Sequence, residues 1–266
     1  MIAFVKMQSL GNDFVLMDAR QSPFHLNPFQ IQQLADRRKG VGCDQVLVLE
    51  SSNHSDADFR YRIFNADGSE VEQCGNGARC VALYLYHHQQ DKKKEWRLMT
   101  LGGLVRVRYE NENKISVEMG IPVVEKGILN SLAIITLGNP HVVIKKPSLE
   151  GLHIQGESRL YLQDKERFPQ GVNVGFMELI NTGCIKLRVF ERGVGETPAC
   201  GSGACAAVVA GQMAGKLEKK VIVQQKGGEV EVFWPGPHSP VILTGDAQWV
   251  FEGQWAPSYL PLDTTK

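Results

Sequence analysis

The chain has 266 residues, enough for one large domain or two moderate ones with a substantial core. Hydrophobic residues make up 43% and charged residues 22%, and 29 basic residues balance 29 acidic ones, which argues against a protein that grips nucleic acid through its phosphates. No apolar run approaches the ~20 residues of a membrane span, and six cysteines are too sparse for a disulfide scaffold.

In chain order, the opening Met1–Lys6 lacks a basic segment followed by an apolar one, so no export signal, a cytoplasmic setting and reduced thiols are expected. A helix is predicted from about Asn27 to Lys39, with Pro28 early and Gly40 just past its end. Alternation in Phe59–Phe64 reads as a half-buried strand. Gly75–Leu85 reads as a helix with a glycine-rich start. The basic run Lys92-Lys93-Lys94 reads as a solvated loop face. Leu104–Tyr109, Ile185–Phe190 and Glu229–Phe233 alternate as strands, and Gly201–Ala210, almost all small or apolar, reads as a helix buried on every side.

These elements fall into an internal repeat. Gly11-Asn12 and Val15 recur as Gly138-Asn139 and Val142. Arg62-Ile63-Phe64 recurs as Arg188-Val189-Phe190, and Glu70 with Cys74-Gly75-x-Gly77-Ala78 recurs as Glu196 with Cys200-Gly201-x-Gly203-Ala204. Gly102-Gly103 recurs as Gly227-Gly228, and Gly120 as Gly245. The expected fold class is α+β (mixed α/β), with two pseudo-symmetric halves, each a curved and mostly antiparallel sheet around a central helix. The halves are expected at 1–118, carrying Cys74, and 119–266, carrying Cys200, with the active site between them.

The repeat sets one cysteine at the start of each glycine-rich helix. Free N–H groups and the positive end of the helix dipole favour a thiolate there, which would lower the thiol pKa below its usual ~8.5. The first-turn glycines would let a small ligand approach the backbone. Two such thiols facing each other could remove a proton from one side of a carbon and deliver one to the other, which inverts a stereocentre. Cys80 and Cys205 turn onto other helix faces, and Cys43 and Cys184 lack metal-ligand spacing, so no metal site is expected.

The run Leu10–Phe14, Asn65-Ala66-Asp67-Gly68-Ser69, Cys74–Cys80, Gly138–His141, Gly171–Val174 and Glu191–Gly203 resembles the diaminopimelate epimerases, in order and over nearly the whole chain. The resemblance implies interconversion of LL- and meso-2,6-diaminopimelate in lysine and peptidoglycan precursor synthesis, without pyridoxal phosphate, metal or other cofactor. It assigns Cys74 as proton donor and Cys200 as acceptor in the LL-to-meso direction. It makes His141 and Glu191 modulators of the thiols, and it implies that the tail from about 250 to 266 packs back onto the first half. The substrate-binding set it implies is Asn12, Gln45, Asn65, Gly75, Asn76, Asn139, Asn173, Glu191, Arg192, Gly201 and Ser202, with Glu191 for the distal ammonium and Arg192 for the distal carboxylate. Ser202 stands where the family more often has Thr. The implied partners are a small-molecule substrate and a second copy of the chain, with Phe251 near the dimer interface, and neither nucleic acid nor membrane. Three other readings stand beside it: a proline or hydroxyproline racemase, which shares the two-cysteine logic, a thiol-redox protein and an amino-acid sensor. Glu191 and Arg192 speak against the first, and a sensor would need neither cysteine.

Overall fold

The alternating runs form a long, curved sheet because each strand buries one face on a helix. A computed structural model of the chain describes residues 1–88, 93–112, 114–129 and 131–257. The first half runs β1 (Ile2–Ser9), β2 (Asn12–Asp18), α1 (Pro28–Ala35), β3 (Gln45–Ser51), β4 (Phe59–Asn65), α2 (Gly75–His88), β5 (Glu95–Thr100), β6 (Gly103–Asn111) and β7 (Lys114–Glu118). The second runs β8 (Val123–Lys126), β9 (Ala133–Leu137), β10 (Asn139–Lys146), α3 (Ile154–Leu162), β11 (Asn173–Asn181), β12 (Cys184–Glu191), β13 (Gly195–Thr197), α4 (Gly201–Met213), β14 (Lys220–Gln225), β15 (Gly228–Phe233) and β16 (Ile242–Asp246), before β17 (Gln248–Trp255).

The pairings repeat as the sequence does. Antiparallel β1–β2, parallel β2–β3, antiparallel β3–β4, parallel β4–β5 and antiparallel β5–β6 and β6–β7 make the first half. In the second, β9–β10, β10–β11, β11–β12, β12–β14, β14–β15 and β15–β16 follow with the same directions. The halves join through antiparallel β7–β16. Each half then receives its outermost strand from the chain just beyond the other: β8, following β7, pairs with β9, and β17, following β16, pairs with β1.

Sequence chemistry fixes the central helices. From Gly203 to Gly211, α4 is wholly buried, and its Ala and Val side chains let the sheet close on every side. Gly75–Leu85 of α2 is likewise buried. One apolar core contains both helices and runs through both halves, while separate clusters lie under α1 and α3 on the outer faces of the sheet. The predicted helix at 27–39 is shorter than expected. Asn27 and Gln30 cap its start reciprocally, and it stops at Ala35 because the Asp36 carboxylate accepts from the N–H groups of Arg38 and Lys39 and turns the chain. Its counterpart α3 was not foreseen, since Ile154–Leu162 mixes Gly, Glu, Ser and Arg without a clean apolar stripe.

One side chain touches the start of both central helices. Leu243 on β16, fully buried, approaches to 3.7 Å of where a Cβ on Gly75 would stand and 3.0 Å of one on Gly201. Leu243→Ala is expected to lose about 2–5 kcal/mol of stability, because the void opens between two rigid helix ends that cannot collapse into it. Urea denaturation measures this; a loss below about 0.5 kcal/mol would show that the helix ends do not rest on Leu243.

Candidate active site

Each cysteine is delivered by the same device. Strand β4 turns back at Asn65–Ser69 so that Phe64 bridges Glu70, and β12 turns back at its end so that Phe190 pairs with Glu196 on β13. A two-pronged ion pair clamps each turn, Arg62 to Glu70 at 2.8 and 2.8 Å and Arg188 to Glu196 at 2.8 and 3.0 Å. The segment before each cysteine is then fastened to a glycine pair: Gly102 N–H donates to the Glu72 carbonyl at 3.1 Å, and Gly227 N–H to the Pro198 carbonyl at 2.8 Å. The two turns present Asn65 and Glu191 at equivalent places, and α2 and α4 begin one residue beyond Cys74 and Cys200.

Around Cys74, the thiol lies 3.9 Å from Asn12 Oδ1 and receives the Gly77 N–H at 3.4 Å. Asn76 Nδ2 reaches the same Asn12 oxygen at 3.4 Å. Asn12 is oriented by Asp44, whose carboxylate accepts from its Nδ2 at 3.0 Å, and Asp44 is tied through Arg37 to Asp13. Gln45 donates to Asn65 Oδ1 at 3.0 Å.

Around Cys200, the thiol lies 3.6 Å from Ser202 Oγ, and its own N–H is held by Gln225 Oε1 at 2.8 Å. His141 is fully buried; its Nε2 sits 3.0 Å from both Ser202 Oγ and Asn139 Oδ1 and 3.4 Å from Asn173 Nδ2. Asn173 Oδ1 accepts the Arg192 N–H at 2.8 Å, and the Arg192 guanidinium donates to the Gln170 carbonyl. Glu191 is held by the Thr197 hydroxyl, and its negative charge acts on both thiols.

The two clusters meet across the repeat axis. A Cβ on Gly201 would stand 3.7 Å from Asn76 Oδ1, one on Gly11 would stand 3.9 Å from Pro198, and one on Gly138 would stand 3.7 Å from Gln73. Cys74, Cys200, Asn12, Asn76, Asn139, His141, Asn173, Glu191, Arg192, Gly75, Gly201 and Ser202 therefore lie along this seam, and Gln45 and Asn65 beside it on the first half. Phe251 lies apart from them, 46% exposed on β17 with its ring edge-on to Phe4.

Two expectations need correction. The thiols are not acidified in this state. Burial pushes Cys74 up to about 11, against the opposing pull of the Gly77 N–H and Arg79, and it pushes Cys200 well above the ordinary range, where Glu191 adds to the effect. The helix-end N–H groups do favour the Cys74 thiolate, but the loss of hydration outweighs them. Nor do the third-position glycines serve ligand approach: a Cβ on Gly77 would lie 2.3 Å from Tyr61 Oη, and one on Gly203 would lie 2.9 Å from Val189 Cγ2. These glycines let the helices press onto their own sheets, and only Gly75 and Gly201 border the seam.

Sequence reasoning missed Asp44, Thr197 and Arg79 as partners of site residues. Asp44 adjoins Gln45 in sequence, and Arg79, a cation inside an otherwise apolar helix, is itself a signal. The other cysteines are free, with Cys43, Cys80 and Cys205 buried. Among the described residues no three His, Cys, Asp or Glu side chains gather as a metal site, and no helix is long and apolar enough to cross a membrane. Of the basic run, Lys92 lies outside the described residues and Lys93 is ion-paired to Asp58 at 2.7 Å. A surface cavity lined by His153, Arg188, Val194 and Glu196 lies against the start of α3 and includes neither Cys74 nor Cys200.

A family model described as diaminopimelate epimerase matches residues 4–125 and 133–250. The chain belongs to the diaminopimelate epimerase family. It is 44% identical to the diaminopimelate epimerase of Coxiella burnetii (strain RSA 493 / Nine Mile phase I) over 273 residues, covering 96% of this chain and 99% of that one. It is also 44% identical to the enzyme of Teredinibacter turnerae, covering 95% and 98%. At the level of fold, it is similar to a PhzF-family phenazine biosynthesis protein of Bacillus anthracis (TM-score 0.72, 19% identity, covering 95% and 98%). A hydroxyproline epimerase of Agrobacterium vitis with bound trans-4-hydroxy-L-proline shares the fold too (TM-score 0.69, 15% identity, covering 95% and 91%). The family is thus an amino-acid epimerase family, and the mixed α/β architecture expected from the sequence is the one these structures share.

Burial pulls His141 down to about 3 from its ordinary 6.5, so the folded protein holds the ring neutral. Below pH 6.5 the unfolded chain binds a proton that the fold refuses. This contribution to stability is present above 6.5 and is lost as pH falls toward about 3. In His141→Gln, urea stability should therefore fall less steeply between pH 6.5 and about 4 than in the unaltered protein. Parallel slopes would mean that His141 takes up its proton in the folded state.

Proposed function

We propose that this protein interconverts LL- and meso-2,6-diaminopimelate by passing protons between Cys74 and Cys200, with no cofactor. The observation that carries the reading is the equivalent placement of the two cysteines at helix starts that meet across one seam. One thiolate takes the α-proton, and the electron pair of the C–H bond is left on the α-carbon and its carboxylate. The opposite thiol delivers its proton to the other face. The α-carbon ends inverted, one cysteine has gained a proton and the other has lost one, and exchange with solvent resets the pair.

The α-proton of an amino acid is weakly acidic, so the carbanion needs charge stabilisation. The backbone N–H groups of Gly75, Asn76, Gly201 and Ser202 are the donors for the reacting carboxylate, in a setting where dipoles are fixed before the reaction begins. Asn12, Gln45, Asn65, Asn139 and Asn173 offer paired donors and acceptors to a zwitterion. Glu191 would hold the distal ammonium and Arg192 the distal carboxylate, so a monocarboxylate such as proline would leave both unpaired. His141 acts through Ser202 on Cys200, and Glu191 raises whichever thiol it faces.

Proton NMR of LL-diaminopimelate in D2O tests the reading directly. Reduced protein should exchange the α-proton and produce the meso isomer, with proline untouched; exchange on proline alone would place the chain with the racemases. Cys74→Ala and Cys200→Ala should each lower kcat/KM by about 10²–10⁴-fold. Because burial holds Cys74 near 11, the thiolate is scarce at neutral pH, and kcat/KM should climb between about pH 7 and 9.

The setting we infer is the cytoplasm, and the assembly a homodimer built on β17. Among the described strands β17 pairs only with β1, and it exposes Val250 and Phe251 by 52% and 46%. Phe251→Asp should shift sedimentation from dimer to monomer; an unchanged dimer would put the interface elsewhere.

A further inference from the structure

Arg79 lies on α2 one turn beyond Asn76 and is fully buried. Its Nη2 donates to Asn76 Oδ1 at 2.8 Å and to Ser9 Oγ at 2.7 Å, and its Nε donates to the Asp246 carbonyl at 3.1 Å. Ser9 Oγ donates to the same carbonyl at 2.7 Å, which locks the arrangement across β1, α2 and β16. Gly245 makes room for it, since a Cβ there would stand 3.1 Å from both Cζ and Nε. Among the described residues no carboxylate is in ion-pair contact with this guanidinium.

These hydrogen bonds leave the buried Nη1 without a partner among the described residues, and they do not neutralise the charge, which is costly to keep buried unless an anion forms nearby. The anion-forming groups that act on Arg79 are Cys74 and Cys80 of its own segment, Asp246 beside it and Cys205 on α4. Burial pushes Cys80 and Cys205 far up, so they stay thiols. Only Cys74 belongs to the reaction. In the second half the residue equivalent to Arg79 is Cys205 itself, so Cys200 has no cation beneath it. The two halves are alike in backbone and unlike in this one charge.

We propose that Arg79 is the positioning residue that makes the two thiols unequal: its guanidinium is the standing counter-charge of the Cys74 thiolate, so that whenever one thiol of the pair is ionised the charge sits on Cys74 and the proton on Cys200. Other groups facing Cys74 do not overturn this. Asn12 from β2 and the N–H groups of Asn76 and Gly77 are neutral donors or acceptors; Tyr61 from β4 is a buried neutral phenol; Glu191 at the end of β12 opposes the thiolate, but it opposes Cys200 as well. The link is mechanical as well as electrostatic. By holding Asn76 Oδ1, Arg79 turns Asn76 Nδ2 toward the Asn12 oxygen that faces the thiol. A turnover that starts from this form puts the α-proton on Cys74 and takes one from Cys200, which moves the charge from above Arg79 to beside Glu191. The enzyme form left behind is the less stable one.

The inference rests on the two-thiol reading. Iodoacetamide labelling of the reduced protein across pH, with each cysteine followed by peptide mass spectrometry, gives a midpoint for each thiol that does not depend on its accessibility. Cys74 should have the lower midpoint. In Arg79→Met, Cys74 labelling near neutral pH should fall about tenfold or more, since each pKa unit is a factor of ten in thiolate. Its midpoint and the rising limb of kcat/KM should move up together, while Cys200 keeps its own midpoint; Arg79→Lys should restore most of the effect. A lower midpoint for Cys200 in the unaltered protein would overturn the proposal, and that measurement stands even if Arg79→Met fails to fold. So would equal slowing of both thiols in the Met and Lys variants, the mark of a packing role. Retention of turnover by Cys74→Ala would instead remove the two-thiol reading.

Discussion

Two helices buried in the middle of a protein create a polar problem at their ends. The first N–H groups of α2 and α4 have no carbonyl to meet within the helix, and a core made of Ala, Val and Leu offers none. The fold answers by directing both starts to the single seam where the two curved sheets touch, with Leu243 filling the gap between them. Everything reactive follows from that placement. The cysteines stand there because the residue before the helix does, and the asparagines and Ser202 collect there with them. A carboxylate entering the seam would relieve an electrostatic deficit that the architecture itself creates.

The duplicated scaffold carries chemistry that has ceased to be duplicate. The clamps Arg62–Glu70 and Arg188–Glu196 superimpose in role, as do the glycine fasteners behind each cysteine. At other equivalent positions, however, Asn65 corresponds to Glu191, Gln45 to Asn173, Phe14 to His141 and Arg79 to Cys205. Residues that build the turn are kept in both copies, while residues that set charge differ. A substrate with one reacting centre and one spectator centre is itself lopsided, and a site of two identical halves would have no means of telling its ends apart.

Much of this was legible in the sequence, for physical reasons that can be named. The repeat showed because the glycine and Arg–Glu positions are locked by geometry that tolerates little else. The central helices showed because glycine-rich starts followed by small apolar runs have few other uses. Helix α3 did not show, since its packing face is short and interrupted by Gly156 and Ser158. The return of β17 to β1 was expected from the resemblance alone, and the passage of β8 to the second half did not show, because strand partners are chosen by tertiary closeness and not by the strand's own alternation. Within the site, the cysteines and the asparagine set were readable from motif and resemblance, whereas Asp44 and Thr197, which aim those side chains, act from neighbouring elements. The acidity of the thiols was misjudged because a local argument about helix ends cannot see how much water the opposite half removes.

The crossed strands bear on how the polypeptide reaches this state. As synthesis proceeds, β1 is among the first segments made, yet the strand that covers its outer edge is Gln248–Trp255, near the other end. The first half can collapse around α2 early, but its sheet stays one strand short until almost the whole chain has been made. That open edge is a natural place for a chaperone, or for a mispaired neighbour, to bind in the interval. With both crossed strands paired, the two halves cannot part without stripping a strand from each.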